Sequence, residues 1–106
     1  MKRENVEVLD LKGEKLFSVE VDAAETFFER ARGLIARECP HRGAGMLIPK
    51  CNAVHTFFMR YPINVHFLDK RGRLVKTVKN VKPWRFFVWG GGRAVQVIET
   101  AAEEFK

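Results

Sequence analysis

Between Gly45 and Asp69 the chain holds its densest apolar sequence, and Pro49 and Arg60-Tyr61-Pro62 cut it into three short runs. Proline lacks the amide proton a strand ladder or helix interior needs, so each run ends where the proline stands. Met46-Leu47-Ile48, Val54 to Met59 and Ile63 to Leu68 therefore read as short strands. The same stretch carries Cys51, Asn52, His55, Thr56, Asn64 and His66. Most of the unusual polar side chains thus lie on what should be the centre of a β core.

The flanks repeat the pattern. Residues 5–10 and 15–21 are β-favouring runs joined by Leu11-Lys12-Gly13-Glu14, whose glycine supplies the positive φ of a hairpin turn. Phe17, Val19 and Val21 alternate with Ser18 and Glu20, the period-two signature of a strand with one face on a core. After Leu68, Asp69-Lys70-Arg71-Gly72 is a turn into a strand over 73–79, which predicts a β-meander. Residues 84–89 are an aromatic strand candidate and 94–98 a last strand. Gly90-Gly91-Gly92 between them lacks the Lys and Ser/Thr of a P-loop and has no β-α-β setting, so it reads as a turn.

One segment has a different period. Ala24, Phe27, Phe28, Ala31, Leu34 and Ile35 fall on a single helical face. Asp22 with Glu25 gives a capping-box start, and Pro40, Gly43 and Gly45 mark an irregular loop after the helix. The expectation is a single mainly β domain, an antiparallel β-sandwich or distorted barrel with one short helix near the N-terminus.

A chain of 106 residues has room for one core and no second domain. No apolar run reaches membrane-span length and no signal-like segment follows the charged start, which points to the cytoplasm. Cys39 and Cys51 are then expected as free thiols. The formal charge of +6 favours acidic partners.

If residues 54–59 and 63–68 pair as a hairpin, His55 lies opposite His66 and Phe57 opposite Asn64, with both imidazoles on one face. Imidazole is the side chain whose ordinary pKa lies nearest neutrality, so such a face binds ligands or moves protons. Cys39, His41, Cys51 and His55 are ligand types that zinc prefers, but their spacing matches no zinc module and no metal or cofactor is assigned. Cys51 and His55 also pair a nucleophile with a base, with Asn52 or Asn64 as the orienting group. Residues 70–85 hold seven basic side chains and no acid, and run into Trp84-Arg85-Phe86-Phe87. That is either a solvated strand face or a track for nucleic acid.

Glu29-Arg30-Ala31-Arg32-Gly33-Leu34, Gly45-Met46, the block from Val54 to Asp69, Gly72 and Val81-Lys82-Pro83-Trp84-Arg85 together resemble the domain of unknown function 192 family. The resemblance implies a β-rich single domain with a helix carrying the Arg-Gly-Leu element, and no established activity. The positions matching the family's polar motif are Arg32, His55, Thr56 and Met59. Asn64 stands where the family pattern usually has aspartate, which removes a negative charge and weakens a general-base or cation-binding role there.

The expected function is a non-catalytic binding module using Arg32, His55, Thr56, Met59, Asn64, Trp84 and Arg85, for an anionic small molecule or an acidic protein. The alternatives are a small hydrolase or transferase using His55 with Cys51 or Asn64, and nucleic-acid binding through residues 70–85. An interaction protein with an exposed β edge would instead declare itself as an oligomer, a state the sequence leaves open.

Overall fold

A computed structural model describes residues 2–23, 44–56, 59, 61–85 and 87–102. Eight strands follow in chain order: β1 (Lys2–Leu9), β2 (Lys15–Ala23), β3 (Ala44–Pro49), β4 (Ala53–Val54), β5 (Ile63–Leu68), β6 (Leu74–Val81), β7 (Val88–Trp89) and β8 (Gln96–Ala101). There is no helix among the described residues. The helix predicted over 24–35 lies outside them, but its predicted start does not. Asp22 and Ala23 belong to β2, and the Asp22 carboxylate accepts from Arg3 Nε at 3.3 Å.

The two hairpins β1–β2 and β5–β6 are closed by the same five-residue device. Asp10 Oδ1 accepts the Lys12 and Glu14 amides at 2.8 and 2.9 Å, while Asp69 Oδ1 accepts those of Arg71 and Arg73 at 2.8 and 3.0 Å. Gly13 and Gly72 take the left-handed conformation, at φ 89° and 80°. This is an aspartate-anchored turn ending in a glycine bulge, and it shifts the register at Val8/Leu9 and at Phe67/Leu68. Both loops carry the pattern Leu-Asp-x-(Lys/Arg)-Gly, a short internal echo.

The predicted meander is replaced by a crossed order. The large sheet runs β1-β2-β3-β8-β5-β6, and β4 pairs with β7 in a separate two-stranded sheet. The last strand β8 sits between β3 and β5, and β2 pairs with β3 in parallel. The sheet is therefore mixed rather than purely antiparallel. Residues 54–59 do not form a hairpin with β5, whose neighbours are β6 and β8.

Because β3, β8 and β5 are central, they are largely buried on both faces, which explains the apolar run Met46-Leu47-Ile48 of β3 and the four apolar residues of β5. Met46, Ile48, Ile63, Val65, Phe67, Val97 and Ala101 point to one core, which Val88, Met59, Tyr61 and Ala94 cover. Leu47, Leu68 and Ile98 point the other way, where Val8, Val19 and Val21 from the first hairpin meet them.

That second core requires the sheet to curl. In a flat sheet β2 and β5 stand three strand spacings apart, roughly 14 Å. The rings of Phe17 on β2 and His66 on β5 are nevertheless 5.2 Å apart, centroid to centroid. The edges touch at one point, where the Leu9 amide donates to Gly72 O at 3.0 Å and Leu9 bridges Arg73. The sheet is thus rolled but not closed into a barrel, and the gap between β2 and β6 stays open.

Candidate functional site

The open gap holds a cleft of about 510 Å³, lined by Phe17 and Val19 on β2, Asn64 and His66 on β5, Thr77 and Lys79 on β6, and Thr100 on β8, among others. His66 is its centre. Its Nδ1 lies 3.2 Å from Thr77 Oγ1 and its Nε2 3.4 Å from Thr100 Oγ1. A hydroxyl both donates and accepts, so this pair satisfies either neutral tautomer and the imidazolium alike. A carbonyl or carboxylate partner would have fixed one state.

Asn64 lies two residues before His66 on the same face and is buried. Its Oδ1 accepts the Asn80 amide at 2.9 Å. Asn80 has φ 53° and belongs to a bulge, because Lys79 and Asn80 together face Asn64 between the Ile63–Val81 and Val65–Val78 pairs. The side-chain amide therefore has a structural use at its oxygen, where an aspartate would accept the same bond. What asparagine changes is the second atom, an NH₂ donor in place of an anionic oxygen.

Lys79 is the charged side chain of the cleft lining, which contains no aspartate or glutamate. Leu16, Phe17, Val19 and Leu74 give it apolar walls. A cation, hydroxyls, an imidazole and an amide beside an apolar wall suit a small anion with an apolar part.

The structure places the other sequence-derived candidates elsewhere. Thr56 is fully buried and works as a latch: its hydroxyl donates to Lys82 O at 2.6 Å and accepts the Arg85 amide at 2.7 Å. Its backbone repeats the clamp, with Thr56 N donating to Arg85 O and Trp84 N to Thr56 O. Met59 is part of the first core. His55 is exposed beyond β4 and is not opposite His66. Trp84 and Arg85 are exposed on the latched turn. Arg32, Cys39 and His41 lie outside the described residues.

Cys51 and Asn64 stand on opposite faces of the large sheet, so Asn64 is not placed to orient a Cys51–His55 pair. The Cys51 thiol packs against the first core and donates to Ala53 O at 3.0 Å. Asn64 faces the cleft. Among the described residues no three His, Cys, Asp or Glu side chains are grouped to hold a metal ion. No helix among them is long and apolar enough to cross a membrane.

The sequence reading named Asn64 but missed Phe17, Thr77, Lys79 and Thr100 as its neighbours. One signal was available: Asn64 and His66 interrupt an apolar strand at period two, marking a polar stripe on a buried face. The partners were not readable, since they come from three other strands.

The sequence profile of the family described as "Uncharacterized ACR, COG1430", the domain of unknown function 192, matches residues 8–106. The chain belongs to this family. A UPF0127 protein of Thermococcus sibiricus is 40% identical over 90 residues, 81% of this chain and 57% of that protein. UPF0127 protein PH1112 of Pyrococcus horikoshii is 38% identical over 84 residues, 76% of this chain and 70% of that protein. The chain thus spans little more than half the length of the first of these relatives. Two solved structures share the fold. A protein of unknown function from Novosphingobium aromaticivorans superposes with TM-score 0.79 at 20% identity, over 96% of this chain and 75% of its own. A protein described as a putative transcription regulator from Sinorhizobium meliloti gives TM-score 0.81 at 19% identity, over 95% and 81%. At such identities the likeness is one of fold alone.

Proposed function

We propose that this chain is a binding module that takes a small anion, a carboxylate or phosphate group carrying an apolar portion, in the cleft above His66. The observation that carries the reading is the convergence of His66, held between the hydroxyls of Thr77 and Thr100, with Asn64 and Lys79 in a lining without carboxylates. The basic balance of the chain supports it by favouring anions over long range. Recognition is favoured over catalysis because hydroxyls engage both His66 nitrogens.

The test is a titration of the isotopically labelled chain with benzoate, octanoate and inorganic phosphate, following the His66 ring resonances. Saturable shifts at His66 and Thr100 that disappear in Lys79→Glu support the reading. Unmoved His66 resonances at millimolar ligand, or shifts indifferent to Lys79→Glu, reject it.

A further inference from the structure

Among the described residues the most exposed aromatic side chains lie away from the cleft. Trp84, Phe87 and Trp89 are 60%, 57% and 52% exposed and fall within one short segment. Phe87 and Trp89 flank buried Val88, so strand alternation puts both rings on the outer face of β7. Trp84 is held at φ 70°, a backbone region that bulky residues avoid. The buried Thr56 latch fixes that turn through the Trp84 and Arg85 amides. A buried partner thus holds the strained backbone of a residue whose side chain is more than half exposed.

Cations accompany the rings. Lys82 and Arg85 are exposed within the segment, and Lys76 of the edge strand β6 donates to the Trp89 backbone carbonyl at 2.8 Å, which ties its charge to the end of the segment. From Lys70 to Ile98 the sequence holds no aspartate or glutamate. Between Lys82 and Trp89 no aliphatic side chain is exposed among the described residues, so the patch offers π faces and positive charge without apolar depth. A lipid surface rewards buried apolar area, whereas stacked bases on a phosphate chain reward this combination. Phe87 and Trp89 are separated by roughly 7 Å along the strand, about twice the stacking rise of a base, leaving room for a base on each ring.

We infer that the segment from Lys82 to Trp89, with Lys76, is a binding platform for single-stranded nucleic acid, distinct from the cleft. The backbone phosphates meet Lys76, Lys82 and Arg85, and unpaired bases stack on Trp84, Phe87 and Trp89. Duplex bases are already stacked and cannot reach the rings, so the platform discriminates against double strands.

The chain contains two tryptophans, Trp84 and Trp89, and both belong to the platform, so intrinsic fluorescence reports it directly. Titration of the whole chain with short oligo(dT) and oligo(U) at low salt should quench this emission. The logarithm of the affinity should fall against the logarithm of salt with a slope of about −2, for three phosphate contacts at ~0.7 each. Phe87→Ala, at an exposed position, should weaken binding about five-fold or more with an unchanged urea midpoint. Fluorescence anisotropy of a labelled oligonucleotide carries the same test into Trp89→Leu. Absence of quenching, equal affinity for a duplex, or quenching by phosphatidylserine vesicles but not by oligonucleotides would overturn the inference.

Discussion

Thr56→Val isolates the latch, because valine keeps the shape of threonine and removes only the hydroxyl. That hydroxyl is fully buried and holds two backbone groups, Lys82 O at 2.6 Å and Arg85 N at 2.7 Å. Leaving a buried polar group unpaired costs about 1–3 kcal/mol. Lys82 and Arg85 are themselves exposed, so water recovers part of the loss, and the expected total is about 2–3 kcal/mol. With a urea slope of about 1.5 kcal/mol/M, the unfolding midpoint drops by about 1.5–2 M at unchanged slope. In a thermal scan the same change is a fall of roughly 10 °C or more. Thr56→Ser is the control: it keeps both bonds and loses one buried methyl, about 1 kcal/mol. Urea unfolding of the three chains decides the matter. A loss below about 0.5 kcal/mol for valine, or a larger loss for serine than for valine, would refute the latch, since shape rather than hydrogen bonding would then dominate.

Gly90 packs so closely on the Phe67 ring that a Cβ there would overlap it. Gly90→Ala should cost about 1–3 kcal/mol, and adding Phe67→Leu should recover at least about 0.5 kcal/mol relative to the sum of the single losses; strict additivity in chemical denaturation would exclude the clash. Burial pushes the Asp69 carboxyl up, but the Arg73 and Arg71 amides and the Arg73 guanidinium overcome it and hold the group below its ordinary 3.8. Its stabilising effect is therefore complete above pH 3.8 and is lost as pH falls through the lower folded value. Asp69→Asn should be less stable than the parent at pH 7 by urea unfolding, with a gap that narrows in acid; a gap constant with pH would show that charge has no part. Asn64→Asp keeps an oxygen for the Asn80 amide, so stability at neutral pH should change by less than about 1 kcal/mol. The same change places a negative charge beside Lys79 and should weaken binding of benzoate or phosphate in a titration. A stability loss without an effect on anions would give the residue a purely structural role.

Where local chemistry decides, the sequence was sufficient. Period-two alternation in Phe17-Ser18-Val19-Glu20-Val21 identified β2 and its buried face, and the glycines of Leu11-Lys12-Gly13-Glu14 and Asp69-Lys70-Arg71-Gly72 located both hairpin turns. Pro49 ended β3, and unbroken apolar runs at Met46-Leu47-Ile48 and Ile63 to Leu68 marked strands of the core. These outcomes rest on φ preference, side-chain alternation and missing amide protons, which act within a few residues of the chain. The family resemblance, carried by short motifs from Glu29 to Arg85 with Val54 to Asp69 the longest, holds over residues 8–106.

Pairing partners were a different matter. Proximity in sequence suggested that residues 54–59 would pair with β5, yet β8 takes one side of β5 and β6 the other. The cleft lining follows from that pairing: it includes Thr77, Thr100, Lys79 and Phe17 but not His55 or Met59. Nor did the sequence reveal Thr56 as a latch, since its partners Lys82 and Arg85 lie 26 and 29 residues away. Gly90 read as part of a turn, whereas its lack of a side chain is required by the Phe67 ring. The alternating pattern says which face of a strand is buried but not against which strand. That is decided by the packing of the whole sheet, whose curl brings Phe17 to His66 across two intervening strands.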